Sequence, residues 1–232
     1  MFKAIEVKIF SMMKNMRFAI TFLMMSNISL AQIPVSQEPR HHDIFDNGHL
    51  RLLDVHIPPG DTSQFHIHAT PSVFVILSNV KTGSEVISEE DHTNSLIPHF
   101  GDIWFEGFYL KPRIHRVWNS DSSEFHVMDI ELPNKNYKII DSPIRQSSFT
   151  FLFDERPVRG YRLKLEPASK TFVESRKAEI LIILLSDSTE LVQANGKSFH
   201  KKGDYLYISS GNLISIENDG SAKAVFVFFE LR

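Results

Sequence analysis

Cysteine is absent from this 232-residue sequence. Its absence excludes disulfide bonds, thiolate chemistry and cysteine-ligated zinc, so any bound metal ion must be held by nitrogen and oxygen ligands. Stability must come from the core, for which 19 phenylalanines and a hydrophobic fraction of 42% are ample. The 11 histidines are therefore the residues among which a metal site is to be sought.

A long apolar run is also lacking near the N-terminus. The uncharged residues 18–31 number about 14, short of the roughly 20 that a transmembrane helix needs. Lys14 and Arg17 precede them and the segment SLA, residues 29–31, ends them, which is typical of a secretory signal peptide. We expect residues 1–31 to be a cleaved signal peptide, with an uncleaved anchor as the alternative. The mature protein is then periplasmic or secreted, without a stable membrane anchor.

An excess of basic residues is lacking as well. The chain has 25 Lys and Arg against 28 Asp and Glu, and removal of residues 1–31 changes the formal net charge from −3 to −6. Nucleic acid and anionic lipid are therefore not expected as partners. We expect a small-molecule ligand, and the sequence also allows a homodimer.

No long segment has an apolar period of 3.6 residues. Apolar stretches of four to eight residues, many of them β-branched or aromatic, recur instead between turn signals such as PPGD, NSDSS and ANGK. This pattern predicts an all-β chain built as a sandwich or a barrel.

The two halves of the sequence resemble each other. The segments NSDSSEFHVMDIEL (residues 119–132) and NDGSAKAVFVFFEL (residues 218–231) have the same length and the same ends. A Gly-Asp pair lies upstream of each, at Gly101 and at Gly203. These matches predict a duplicated unit.

The junction of the two units is predicted in residues 132–148, where polar residues and proline accumulate. The N-terminal domain is then residues 32–133 and the C-terminal domain residues 134–232. Each has about 100 residues, which is a normal domain size.

Two segments of the first half resemble the motifs of the cupin superfamily. In the first motif, G-x5-H-x-H-x(3,4)-E, Gly60, His66 and His68 match, but Ser72 or Val73 stands where the glutamate is expected. Together with the repeat, the resemblance implies an all-β bicupin made of two tandem jelly-roll barrels, each a double-stranded β-helix.

The second cupin motif is G-x5-P-x-G-x2-H-x3-N. It is matched by Gly101, Pro112, His115 and Asn119, although the loop is three residues longer and no glycine follows the proline. By the resemblance, His66, His68 and His115 are the metal ligands. The ion is divalent and could be Fe, Zn, Mn, Ni or Cu.

The second half keeps the frame of these motifs without their histidines. Gly203 and Asn218 match, but Ile214 stands at the histidine position of the second motif. The alignment places Glu174 and Arg176 at the paired histidines of the first motif. We therefore expect the second barrel to lack metal ligands.

His66 and His68 lie two residues apart on a predicted strand, so both project to one face, opposite to Phe65 and Ile67. His115 is expected to supply a third nitrogen from across the cavity. Three neutral imidazoles leave a divalent ion its full charge, which makes it a stronger Lewis acid and favours an anionic, enolate-like ligand. The alternative is a cupin that has lost its metal and packs these histidines in the barrel.

Two further residues are catalytic candidates. His126 lies two and four residues from Met128 and Ile130, so the three side chains share one face of a predicted strand. We expect this face to line the cavity that contains the three histidines, where His126 could contact substrate or shuttle protons. A satisfied core histidine is the alternative. Glu106, at the base of the lengthened loop, could replace the missing carboxylate ligand, with a solvated loop acid as the alternative.

Other positions carry weaker expectations. Trp104 and Tyr109 are candidates for the mouth of the cavity, or for packing. His41 and His42 are interpreted as a flexible lead-in after the signal peptide.

Residues 224–231, AVFVFFEL, are apolar on both faces and predict a strand covered on both sides, with the other barrel as one cover. The same cover is expected for Phe65 and Ile67, on the outer face of the histidine strand.

The leading functional hypothesis is an exported, metal-dependent protein that acts on a small organic molecule. A three-histidine site is similar to that of some cupin dioxygenases, which favours dioxygenation over isomerisation or hydrolysis, although the family performs all three. A non-catalytic module that binds a sugar, a metabolite or a metal is the alternative. A structural protein without any small ligand is the third possibility.

Overall fold

The computed structural model describes residues 32–87, 93–96, 98–187 and 192–232. The predicted signal peptide, residues 1–31, lies outside these residues. Apart from one turn of 3-10 helix, all regular secondary structure of the described residues is β-strand, which confirms the predicted all-β class. Within it, no helix has the length and the apolar character needed to cross a bilayer.

The elements of the first half begin with a short strand and one turn of 3-10 helix. In chain order its strands are β1 (Ile33–Pro34), β2 (His41–Asp46), β3 (Arg51–Ile57), β4 (His66–His68), β5 (Ser72–Ile76), β6 (Thr82–Val86), β7 (Thr93–Leu96), β8 (Ile103–Glu106), β9 (Arg113–Asn119) and β10 (Phe125–Glu131). The 3-10 turn, Val35–Gln37, follows β1.

The second half contains only strands among its described residues. In chain order they are β11 (Phe149–Asp154), β12 (Val158–Leu165), β13 (Ser169–Val173), β14 (Glu179–Leu184), β15 (Val192–Ala194), β16 (Lys197–Phe199), β17 (Tyr205–Ile208), β18 (Ile214–Asn218) and β19 (Ala224–Leu231).

The strands form two sheets in each half. In the first half one sheet has the order β2-β3-β10-β5-β8, and in the other β4, β9, β6 and β7 lie in that order. The sheets of the second half have the orders β11-β12-β19-β14-β17 and β13-β18-β15-β16. Matched strand for strand these orders are the same, which confirms the predicted duplication. We call the two pairs of sheets the N-terminal barrel and the C-terminal barrel.

Asn119 and Asn218 occupy equivalent points in the two barrels, where a strand enters the last hairpin. The side-chain amide of Asn119 donates to the backbone carbonyl of Ile57, and that of Asn218 donates to the carbonyl of Leu165. Both asparagines are buried, and both side-chain oxygens accept from a backbone N–H two residues later. The asparagine of each half therefore stabilises its last hairpin, and Asn119 and Asn218 are equivalent positions in the two halves.

The pairing of β13 corrects the sequence alignment at the paired histidines. Val173 pairs with Ile214 in the way that His66 pairs with His115 in the N-terminal barrel. Val173, and not Glu174, is therefore the counterpart of His66. The sequence alignment was therefore wrong by one residue at this strand. A shift of one residue along a strand places a side chain on the opposite face.

The same shift removes Arg176 from the second histidine position. Its guanidinium donates instead to Glu230, a fully buried carboxylate that also accepts from Arg159 and Tyr161. A hydrophobic core fills the C-terminal barrel. It includes Phe199, Phe226, Phe228, Val173 and Ile214.

The described residues form three buried hydrophobic clusters. One fills the C-terminal barrel, a smaller one lines the N-terminal barrel, and the third lies between the barrels. Strand β19 contributes Phe226 and Phe228 to the C-terminal core, and Val227 and Phe229 to the cluster between the barrels. The prediction that AVFVFFEL is covered on both faces, on one side by the other barrel, is confirmed.

Phe65 and Ile67 do not share that cover, contrary to expectation. Both are half-buried and lie outside the cluster between the barrels. The Arg116 guanidinium lies 4.8 Å above the Phe65 ring and shields it. The expectation was wrong because the sheet that packs on the C-terminal barrel is the one containing β3, β5 and β10, not the one containing β4.

The cluster between the barrels should contribute strongly to stability. Phe229 is fully buried there, so Phe229→Ala leaves a cavity and is expected to lower the free energy of unfolding by about 3–5 kcal/mol. Urea-induced unfolding measures the change. Phe151→Ala is the matched control, because that side chain is 51% exposed, and it should cost less than about 1 kcal/mol. Equal effects of the two substitutions would show that the barrels do not depend on this contact.

Candidate metal centre

Two adjacent strands of the N-terminal barrel place three histidines on one inward face. His66 and His68 lie at the two ends of β4, and His66 is the direct cross-strand partner of His115 on β9. Residues two apart on a strand, and direct partners on its neighbour, project to the same face. His115 therefore lies beside His66 in the same sheet, rather than across the cavity as expected.

The histidine that does come from across the cavity is His41, on β2 of the facing sheet. The ligand nitrogens of His41, His66 and His68 all lie within 4.8 Å of one another. The ring centroid of His41 is 4.7 Å from that of His66 and 6.5 Å from that of His68. His41 was expected in a flexible lead-in, and no motif spacing points to it. Its exposed neighbour His42 lies outside this group.

His115 stands next to this group of three. Its ring centroid is 4.7 Å from that of His66 and 5.0 Å from that of His68. Its Nε2 atom is buried and has no hydrogen-bond partner among the described residues. We refer to His41, His66, His68 and His115 together as the histidine cluster.

The outer nitrogens of two cluster members are held by acceptors, which turns their Nε2 atoms inward. The Nδ1 of His66 donates to the backbone carbonyl of Gln64, at 2.9 Å. The Nδ1 of His41 donates to the carboxylate of Glu38, at 2.7 Å. An acceptor behind Nδ1 fixes the tautomer in which Nε2 carries the lone pair, as in imidazoles that bind metal ions.

Glu38 is a buried, ionised carboxylate that the sequence reading did not identify. Burial raises its pKa, but the hydrogen bonds that it accepts from His41 and from the backbone N–H groups of Gln64 and Arg40 outweigh burial and bring the pKa to about 2. Glu38 thus places a negative charge behind a histidine, and not at a ligand position. The short turn after β1 delivers it, and the cupin motifs do not include it.

Three members of the cluster are neutral at physiological pH. Burial lowers the pKa of His66 to about 4, with a further contribution from the nearby His41. Burial also lowers the pKa of His68 and that of His115 well below the usual value, and neighbouring histidines add to both shifts. A neutral imidazole offers its lone pair without first losing a proton, which is what a metal ligand requires.

Asp129, on β10 of the facing sheet, closes the site behind His68. Its Oδ2 lies 3.5 Å from the Nδ1 of His68, and neither carboxylate oxygen has a hydrogen bond within the described part of the chain. Burial raises the pKa of Asp129 well above the usual value, and the nearby Glu131 adds to the shift. The sequence analysis had predicted that Met128 and Ile130 face the cavity, which would turn Asp129, one residue away, to the opposite face.

His126 lies on the other face of β10, which contradicts the predicted position. Met128 and Ile130, whose parity it shares, pack in the cluster between the barrels, whereas Val127 and Asp129 line the cavity. The prediction failed because both faces of β10 are buried, and the more apolar face is the one that meets the second barrel. His126 accordingly contacts Asp54 and His56 outside the N-terminal barrel.

Glu106 lies at the mouth of the cavity and outside the histidine cluster. Its carboxylate pairs with Arg113, with an N–O distance of 3.2 Å. Arg113 lines the cavity and also an outer pocket of about 340 Å³, which Glu106 and Tyr109 line as well. Trp104 lines the cavity itself, where it stacks on Phe74.

The cavity has a volume of about 130 Å³. The histidine cluster and Asp129 line it on the polar side, and most of the remaining wall is apolar, including Ile57, Phe74 and Phe125. On the lengthened loop, Phe108 stacks on His68 with 5.5 Å between ring centroids, and Arg113 lies above the Phe108 ring. Arg113 is the one arginine or lysine among the described residues that line the cavity, and the sequence analysis did not identify it.

The structure has similarities to solved proteins that the sequence does not show. No family model and no curated protein matches the sequence. The bacterial pirin YhhW from Escherichia coli, in complex with nickel(II), matches with a TM-score of 0.59 and 16% identity over 82% of this chain and 90% of that one.

Two further solved structures connect the fold to the predicted superfamily. Salicylate 1,2-dioxygenase from Pseudoaminobacter salicylatoxidans, in adducts with gentisate, matches with a TM-score of 0.59 and 9% identity over 91% of this chain and 78% of that one. A cupin 2 conserved barrel domain protein from Leptotrichia buccalis matches with a TM-score of 0.51 and 8% identity, over 82% and 88% of the two chains. Identities this low show the fold alone, and the chain has the two-barrel fold of the cupin proteins.

Proposed function

We propose that the N-terminal barrel binds one divalent metal ion through the histidine cluster, and that the protein is a dioxygenase-like oxidoreductase acting on a small anionic organic molecule. The observation that carries the proposal is the convergence of buried imidazole nitrogens on one point of the cavity. The Nε2 atoms of His66 and His68 lie 3.1 Å apart, and the buried Nε2 of His115 has no partner among the described residues.

This donor set fits a metal ion. Two nitrogens that each bind an ion at about 2.0–2.1 Å lie about 3 Å apart, close to the separation of His66 and His68. Imidazole nitrogens suit Fe, Ni, Cu and Zn, and the nickel bound by the pirin YhhW agrees with that range. Since no carboxylate is in the cluster, the ion would keep its full charge and would act as a strong Lewis acid on an anionic substrate.

The protein's own residues would bind and orient that substrate. Arg113 at the entrance would pair with an anionic group, exchanging its contact with Glu106 for one with the substrate. The apolar wall, including Phe74 and Phe125, would hold the remainder and exclude water. Phe108, stacked on His68, would cover the site from the loop side.

The cavity volume limits the size of the substrate. A cavity of 150 Å³ in another protein accommodates benzene, so about 130 Å³ corresponds to a single ring or a short chain. Salicylate, for which one structural neighbour is named, is a single-ring anion. Single-ring phenolic acids are therefore the substrate class that we propose.

Removal of two cluster ligands should remove the ion. The variant His66→Ala/His68→Ala is expected to bind one metal ion fewer per chain than the wild type, because two nitrogens remain and too few donors are left. Elemental analysis after equilibrium dialysis against Fe(II), Ni(II) or Zn(II) measures the difference. His99→Ala, at an exposed histidine outside the cluster, is the control and should keep the wild-type content. Identical metal content in the wild type and the double variant would exclude this site.

The carboxylate behind His41 should matter for affinity. Glu38→Gln keeps the shape of the side chain but loses the charge that anchors the His41 ring, and it is expected to weaken metal binding by about 10–100-fold. Competition with a coloured chelator measures the affinity. Glu85→Gln, whose carboxylate pairs with Arg116 away from the cavity, should leave the affinity unchanged. An unchanged affinity in Glu38→Gln would remove His41 from the ligand set.

Arg113 should determine the preference for anionic substrates. Oxygen consumption and product formation are measured with single-ring phenolic acids, β-diketones and sugars. In Arg113→Gln the KM for a phenolic acid is expected to rise by about 10–100-fold, the loss of one charge-assisted hydrogen bond, and the KM for an uncharged ring is expected to change little.

The matched control is Arg116→Gln on the same strand. Its guanidinium pairs with Glu85 and lies over Phe65, outside the cavity, so its KM values should equal those of the wild type. Saturable binding of the acids without oxygen consumption would reject the oxidoreductase and would favour the binding module. Equal effects of both arginine variants would reject Arg113 as the anion-binding residue.

A further inference from the structure

A cleft of about 600 Å³ lies between the two barrels, separate from the cavity of the histidine cluster. The N-terminal barrel contributes Asp54, His56 and His126 to its wall. The C-terminal barrel contributes His200 and, among others, three lysines, Lys197, Lys201 and Lys202.

Asp54, His56 and His126 are placed together by two neighbouring strands. Asp54 and His56 lie two residues apart on β3 and so share a face, and His126 on β10 is the direct cross-strand partner of His56. Their side chains are partly buried, and their ligand atoms all lie within 4.8 Å of one another. This arrangement rests on two paired strands and not on a loop, which makes it rigid.

The two imidazoles present the same nitrogen to one carboxylate. The Nε2 of His126 lies 2.7 Å from one oxygen of Asp54, and the Nε2 of His56 lies 3.2 Å from the other. The rings are stacked, with 4.2 Å between centroids and an angle of 21° between their planes. Only small shifts of these side chains would let one ion take the place between the three groups.

A second carboxylate supports the site from outside. Glu124 lies 2.9 Å from the Nδ1 of His56, so the imidazole is held between Glu124 on one side and Asp54 on the other. A carboxylate behind Nδ1 is the arrangement that orients histidines which bind metal ions through Nε2. The residues thus supply three ligand groups and an outer support. A metal ion would displace the proton that Asp54 and Glu124 hold on His56, whose pKa their hydrogen bonds raise to about 9.

We propose that Asp54, His56 and His126 form a second divalent metal site, on the outer face of the N-terminal barrel. Two imidazoles and one carboxylate select Zn(II), Ni(II), Co(II) or Cu(II) over Ca(II) and Mg(II), which prefer oxygen ligands. Its remaining coordination positions open to the cleft, where water or a small anion completes them. The site is separate from the histidine cluster, because Asp54, His56 and His126 lie on the faces of β3 and β10 opposite to those that line the cavity.

The site is independent of the proposed function, and the test keeps the two apart. Zn(II) is titrated calorimetrically into full-length His66→Ala/His68→Ala, in which the histidine cluster lacks two of its members. The expected result is one Zn(II) bound per chain. Adding His126→Gln, or Asp54→Asn in its place, is expected to lower the affinity by at least about tenfold, the size usual for the loss of one ligand or its support.

His200→Gln is the matched control, since His200 lines the same cleft from the other barrel and lies outside the group of three. It should leave Zn(II) binding unchanged. Circular dichroism checks the fold of each variant, and Asp54→Asn serves where His126→Gln does not fold. An absorption spectrum of Co(II) bound to the double variant should change on His126→Gln, which a purely structural role of His126 would not cause.

Two results would overturn the site: no Zn(II) binding by the double variant, or an equal loss in His200→Gln and His126→Gln. In that case the three residues form a hydrogen-bonded ion triad without metal. If the wild type binds a single ion that is lost in His126→Gln and kept in His66→Ala/His68→Ala, the second site stands and the proposed barrel site fails.

Discussion

The alternation of side chains along β10 is the constraint on which the rest of the structure depends. Val127 and Asp129 project into the N-terminal barrel, while His126 and Met128 project towards the second barrel. Because β10 is the central strand of its sheet, neither face is left to solvent along most of its length. Residues of this one strand therefore line the cavity, form the contact between the barrels and line the cleft. An insertion of one residue in β10 would turn each of these side chains to the opposite face.

The same constraint explains which features of the fold and of the site could be predicted from the sequence. Local alternation and spacing, which a single sequence contains, were enough to predict the all-β class and the repeat. They were also enough to predict that His66 and His68 share one face of a strand. The inward face of β10 could not be read in that way, since apolar residues occupy both faces and only the position of the second barrel distinguishes them. His41 and Glu38 were missed for a related reason: they join the site through strand pairing between distant segments, which leaves no spacing to recognise.

The first cupin motif lacks its carboxylate here, and the structure shows where the carboxylates near the cluster lie instead. Glu38 places a negative charge behind His41, against the nitrogen turned away from the centre. Asp129, whose pKa is raised by burial, lies 3.5 Å behind the corresponding nitrogen of His68. A carboxylate in that position orients and polarises an imidazole without adding its charge to the inner coordination shell. His66, His68 and His115 surround the centre with neutral nitrogens, and Arg113 adds a positive charge at the entrance. Both features favour an anion in the cavity.

The C-terminal barrel has the same strand order as the N-terminal barrel but lacks the histidines and the aspartate of the site. Val173 and Ile214 stand where His66 and His115 stand, and Phe228 follows Asn218 at the distance at which Asp129 follows Asn119. Each replacement exchanges a polar group for an apolar one, and the interior is a packed core. Since burial of apolar surface stabilises a fold and buried polar groups cost stability unless paired, the C-terminal barrel is the more favourable use of the frame. The N-terminal barrel nevertheless keeps two buried imidazole nitrogens, on His68 and His115, that have no partner among the described residues, which is the expected cost of a binding site.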